Sequence, residues 1–342
     1  NTFVGSEAGK GGTTSAPFSS GERNTAVGYK ALQDFTTGEH NVAIGYEAAE
    51  SITTGNYNTV VGYNAYQGAT GGSETVSVGY QAGAVAQGGE SVLIGYQAGY
   101  GTSGGSGANG SWNVAIGKQA LMSQRTGARR NVAIGYRSLY RLLDNGEDSV
   151  AIGYESGLYA TGSYNTFVGK DAGKGGTNTL PYSSGEKNTA IGYQALTAFT
   201  TVDDIVAIGH KAAAAITTGA RNTAIGFQAM LEHTTGANNI AIGHNAMAVT
   251  GAGSTSKGSY DNIFIGRNSG GGSWADVASN YNVGVGNYTL DAALNGALNN
   301  TAIGTYALSD LTTGDSNTAL GYAAGNSLTT GYSNVFIGRG AG

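Results

Sequence analysis

The sequence predicts an all-β parallel solenoid, and three observations predict it. A short strand-like unit recurs at near-constant spacing, glycine closes it every time, and a second glycine often punctuates the turn before the next unit. The unit reads Asn, then Thr or Val, a small residue, an aliphatic residue and Gly. It occurs nineteen times, closing at Gly5, Gly28, Gly45 and onward to Gly338. Of the eighteen intervals, thirteen span 16 to 18 residues and eight are 17. The other five are 20, 22 or 23, as expected for a coil of about 17 residues carrying insertions. Such a period marks stacked units that bury a shared core.

Each position of the unit has a physical task. The residue before the Gly is Val, Ile or Leu in all nineteen units, and two residues earlier sits Thr, Val or Ile. Residues two apart share a strand face, so this pair is expected to point into the coil. Between them stands Ala in eleven units, and Phe at Phe3, Phe167, Phe264 and Phe336. A strand apolar on both faces is covered on both, whereas one coil has a single interior. The expected cover for the Ala face is another copy of the chain. Ala43, Ala133, Ala190, Ala224, Ala302, Phe167 and Phe264 are therefore candidate protomer-interface residues.

The turn follows the strand Gly. Ala stands three residues on in fifteen units, and Ser or Thr in the other four. Many coils then carry Thr-Thr-Gly, as at Thr36-Thr37-Gly38 and Thr217-Thr218-Gly219. Glycine at two fixed points suits a tight repeated turn, because glycine alone takes positive φ without steric cost. Asn opens fifteen units, and amides stacked in register are expected to form a hydrogen-bonded ladder.

A longer period lies above the short one. Residues 1–28 return at 165–192, where Gly9-Lys10-Gly11-Gly12 reappears as Gly173-Lys174-Gly175-Gly176. This divides the chain into super-repeats of nine coils at 1–164 and 165–333, with a further copy opening at 334–342. Tandem copying lengthens a protein whose length is useful. Eighteen steps of about 4.8 Å predict a rod of roughly 85–90 Å. Both ends of the sequence fall inside repeats, so a stretch of a longer fibre is expected.

Composition removes several functions. The 342 residues carry a net charge of −5 and no basic face, so nucleic acid is not an expected partner. No apolar run nears the roughly 18 residues of a membrane span. There is no Cys, hence no disulfide framework and no thiolate chemistry. Gly5-Ser6-Glu7-Ala8-Gly9-Lys10 resembles a phosphate loop, but has three residues between its glycines instead of four and Gly11 after the Lys. His210 and His244 follow strand glycines, where Tyr stands in nine coils, and read as substituted surface positions. Two coils apart, they are too distant to share a metal. No catalytic residue, cofactor or metal is expected.

Two features are candidates for recognition. The Tyr column (Tyr29, Tyr46, Tyr63, Tyr80, Tyr96, Tyr136, Tyr154, Tyr193, Tyr322) is read as a stacked structural ladder, with a grip on sugars or on another fibre as the alternative. The five longer intervals hold both prolines and both tryptophans. Loops on a rigid scaffold carry binding residues, and aromatic side chains anchor partners. Pro17, Phe18, Trp112, Pro181, Tyr182 and Trp274 are the candidate adhesive residues.

Units such as Asn131-Val132-Ala133-Ile134-Gly135 and Asn222-Thr223-Ala224-Ile225-Gly226 resemble the YadA-like head repeats of trimeric autotransporter adhesins. They are also similar to the Asn-Thr-Ala-x-Gly-Tyr repeats of some phage tail fibres and of fibre proteins on predatory bacteria. The resemblance implies a left-handed parallel β-roll, a homotrimer with small residues towards its axis, and a place outside the cell or on a virion tail. Coils of 17 residues are longer than those typical of adhesin heads. The function expected is a non-catalytic shaft of an extracellular fibre whose aromatic loops adhere to cell-surface glycans or proteins. A tail spike acting on surface polysaccharide is one alternative, and an ice-binding solenoid presenting Thr arrays is another. The Thr array breaks at Ala69-Thr70-Gly71, which argues against a continuous ice plane.

Overall fold

The computed structural model describes residues 1–12, 19–85, 88–101, 110–123, 127–142, 146–250 and 258–342. It is all-β, with nineteen three-residue strands, and the described residues contain no α-helix. Strands that pair do so in parallel and in strict register, one per turn of a β-solenoid: Thr25, Ala26 and Val27 face Val42, Ala43 and Ile44, which in turn face Thr59, Val60 and Val61. The chain forms two compact units, Asn1–Asn165 and Thr166–Gly342.

In the first unit, nine strands run from Thr2–Val4 to Val150–Ile152. The turns are stitched coil to coil like the strands, for example by Leu32 N to Ala48 O at 3.0 Å and Ala49 N to Ala65 O at 3.0 Å. The strand glycine is required by backbone proximity. Gly28 has φ +135°, and a Cβ there would lie 2.3 Å from the carbonyl oxygen of Gly45 in the next coil. The expected amide ladder is present and buried. Asn41 and Asn58 each donate their backbone N–H to the Oδ1 of the Asn one coil earlier, and their Nδ2 groups donate to Gly55 and Gly72 carbonyls. Ser91 and Ser149 take over the acceptor role for Asn113 and Asn165.

The second unit repeats the design in ten strands, from Thr166–Val168 to Val335–Ile337. Its ladder is unbroken through Asn222, Asn239, Asn262, Asn282, Asn300, Asn317 and Asn334, each step 2.8–3.1 Å from backbone N to the preceding Oδ1.

The strand faces are the reverse of the expectation. Ala43, Ala133, Ala190, Ala224, Ala302, Phe167 and Phe264 are fully buried inside their own coils, so none is available to a second protomer. The aliphatic pair that flanks them points outward. The reason is the width of the coil. Its interior holds one strand residue, the turn Ala three past the Gly and the side chain four past it, as with Ala26, Ala31 and Leu32. Two ranks of β-branched side chains do not fit there beside the turn. Where the strand centre is bulky, the turn residue shrinks instead. Phe3, Leu93, Phe167 and Phe264 are answered by Gly9, Gly99, Gly173 and Gly270, at which a Cβ would meet the ring or Leu side chain at 2.2–2.7 Å.

Candidate interaction surface

Because the strand centre is inside, the residues one before and one after it form two outward columns on every strand. They contain only Thr, Val, Ile and one Leu in all nineteen strands, with no charged residue among them. Val27, Ile44, Ile94 and Ile152 are each 37–40% exposed. A continuous aliphatic column of this length, flanked only by Thr, Val and Ile, marks a candidate contact face.

The aromatic column lies beside this face, one residue past the strand Gly. Tyr46, Tyr63, Tyr80 and Tyr96 stack in sequence with ring centroids 5.0–5.3 Å apart and planes within 9° of parallel. Tyr29 continues the stack below Tyr46 at 5.1 Å. Cations close it, Lys30 over Tyr29 and Lys118 over Tyr96. In the second unit the same column reads Tyr193, His210, Phe227 and His244, stacked at 4.9–5.1 Å. His210 and His244 are thus rungs of an aromatic ladder. Ring faces buried against other rings are unavailable to sugars, since stacking a pyranose needs an open face. The column presents hydroxyl edges.

The proposed adhesive residues separate in the structure. Pro17 and Phe18 lie outside the described residues. Trp112 is 49% exposed, and its indole Nε1 donates to the Glu90 carboxylate of the preceding coil. In the 174–187 insertion Leu180 and Pro181 are exposed and Tyr182 is half-buried. Trp274 is corrected: it is fully buried, packed edge-on to Phe264 with centroids 5.8 Å apart, and its Nε1 donates to the Gly270 carbonyl at 3.0 Å. The space at Gly270 is taken by the Phe264 ring, and the indole packs against that ring's edge. The signal was in the sequence, since Trp274 follows a Gly-Gly-Gly run in a coil whose strand centre is already Phe.

Charged side chains sit in the turns. Arg130 makes ion pairs with Glu147 and Asp148, holding the Asp148 carboxyl below its usual range, and Lys30 pairs with Glu50 at 3.2 Å. No group of three metal-ligating side chains occurs among the described residues. No described helix is long and apolar enough to cross a membrane. In the Thr-Thr-Gly turns, the first Thr donates its hydroxyl to the next coil, as Thr36 does to Thr53 O at 3.0 Å. The second Thr is the more exposed of the pair, as at Thr37, Thr54, Thr218 and Thr235.

No family model matches the chain, and no curated protein or solved structure does either.

Proposed function

We propose that this chain is a non-catalytic structural shaft of an extracellular fibre, in which copies associate side by side through the outward Thr/Val/Ile face. The observation that carries the reading is that face, uncharged on every strand and lined by Val, Ile or Leu throughout its pre-glycine column. An internal ladder of buried amides stiffens each coil against the next, which suits a load-bearing part. The resemblance to YadA-like repeats favours three copies around a common axis; because the small strand-centre residues are buried within each coil, the β-branched columns take the place towards that axis. Adhesion to cell-surface glycans or proteins falls to the exposed insertions, Trp112 and Leu180–Pro181. Sedimentation across a dilution series tests the assembly: a trimer that persists on dilution supports it, and a monomer at every concentration overturns it.

A second reading, a spike that cleaves surface polysaccharide, has one observation in its favour. Burial, aided by the neighbouring Asp310, pushes the Asp291 carboxyl up to about 6, within reach of a general acid. If the chain lowers the viscosity of a capsular polysaccharide and Asp291→Asn does not, the spike reading replaces the shaft.

A further inference from the structure

The Tyr column of the first unit has a property that its structural role does not use. Five phenols stand on five successive coils, stacked ring on ring at 5.0–5.3 Å from Tyr29 to Tyr96. Tyr46, Tyr63, Tyr80 and Tyr96 nevertheless remain 43–46% exposed, with an open edge. Rings held nearly parallel, on coils in register, present like edges to one another. Each phenol thus has a neighbouring phenol permanently within a ring's reach, where free tyrosines would have to meet by diffusion. Holding two reactants together in this way replaces a bimolecular encounter with an intramolecular one.

We propose that the run Tyr29, Tyr46, Tyr63, Tyr80 and Tyr96 is an oxidative modification site, at which a haem peroxidase with hydrogen peroxide joins adjacent coils as dityrosine. Each of two neighbouring phenols loses one electron and one proton to give a phenoxyl radical. The radicals couple through a new bond between ring carbons ortho to oxygen. Each ring then regains aromaticity as the hydrogen on its coupled carbon moves to its oxygen. The two electrons and two protons reduce one hydrogen peroxide to two waters, so each link removes two hydrogens from the protein. The product is a covalent staple between coils that were joined only by hydrogen bonds and packing. Tyr193 supplies an internal contrast within the second unit: it has His210 on one side and Lys170 over its ring, whereas Tyr288 and Tyr306 of the same unit stack at 5.1 Å. The inference is independent of the fibre reading, because the stack lies within one chain.

The test is treatment of the whole chain with horseradish-type peroxidase and hydrogen peroxide, followed by dityrosine fluorescence and mapping of linked peptides by mass. The expected result is links between adjacent rungs, each lighter by two hydrogens, in a yield per chain that does not change over a hundredfold dilution. Tyr46→Phe with Tyr80→Phe keeps the rings stacked but leaves no two adjacent phenols in the run. Its links should disappear while the stacked pair Tyr136 and Tyr154 still couples, which shows that the protein is folded and the oxidant active. Yield that falls with dilution, links that survive in the double variant as joins between Tyr29, Tyr63 and Tyr96, or Tyr193 coupling as readily as Tyr63 would each overturn the proposal.

Discussion

Phe167 lies over Gly173 so closely that a methyl group on that glycine would sit 2.2 Å from the ring. The two are complementary halves of one core volume, the strand centre and the turn of a single coil. In the next coil the same volume is divided the other way, between Ala190 and Leu196, both fully buried. Gly173 and Leu196 have nearly the same backbone, φ +55° and +51°. The glycine is therefore set by space more than by its dihedral angle.

Gly173→Ala should destabilise the second unit by about 1–3 kcal/mol through overpacking, and Phe167→Ala by about 3–5 kcal/mol through the cavity it leaves. The double change Phe167→Ala with Gly173→Leu recreates the neighbouring coil and should recover most of both losses. Denaturant midpoints of the three variants check this. If the double variant is no more stable than Phe167→Ala alone, the shared volume is not what couples the two positions.

The amide ladder makes a separate prediction. Asn300 donates to Asn282 Oδ1 and the Gly314 carbonyl, and accepts from the backbone and side chain of Asn317. Asn300→Ala strands several buried groups, each costing about 1–3 kcal/mol when unpaired. Asn300→Ser should be milder, because Ser91 and Ser149 already serve as acceptors at this position in the first unit. The expected order of thermal midpoints is native, Ser, then Ala. Equal losses for Ser and Ala would show that the amide contributes only by its size.

His233 makes the second unit sensitive to acid. It is fully buried where other coils carry Phe35, Ile52 or Ile216, with Asn239 and Thr250 as its polar neighbours. Burial lowers its pKa from 6.5 to about 4. The folded state thus holds the neutral ring, while the unfolded state takes up a proton from about pH 6.5 downward. The stability that follows is complete above about pH 6.5 and is lost as pH falls towards 4, by roughly 3 kcal/mol at most. His233→Leu should remove this component. Urea unfolding at pH 7.5 and pH 4.5 measures it as the difference between native and variant, and an identical pH dependence in both would sink the assignment.

Much of the fold was legible because the repeat constrains it. The strand, the closing Gly and the opening Asn each recur on a fixed count, and backbone proximity and amide pairing follow from stacking such units in register. What the sequence left open was the direction of the strand. Ala43 and Ile44 are both apolar, and a period of two separates faces without naming the inner one. Coil width decides that, and it depends on how the turn side chains Ala48 and Ala49 fill the interior. The same blindness affected Trp274, which looked like a loop anchor until its edge-on packing against Phe264 placed it in the core. Composition alone could not tell an aromatic residue that fills a gap from one that meets a partner.

Ala43 and Ile44 also give the most direct test of which face does what. Ala43 is fully buried between Ala26 and Val60, whereas Ile44 is 40% exposed between Val27 and Val61. A carboxylate placed at Ala43 has no partner in the core and costs several kcal/mol, so Ala43→Asp should unfold the first unit, with loss of the β-sheet circular dichroism signal. A Lys at Ile44 leans into water, since a long side chain at a half-exposed site keeps its charge solvated. Ile44→Lys together with Ile94→Lys should therefore leave the circular dichroism spectrum intact. On the proposed assembly, the same pair of charges sets like against like across every copy and should reduce the sedimenting species to a monomer. If Ala43→Asp folds normally, the strand faces outward at its centre after all. If the Lys pair leaves the association unchanged, copies of the chain meet through some other surface, and the aliphatic columns have another partner.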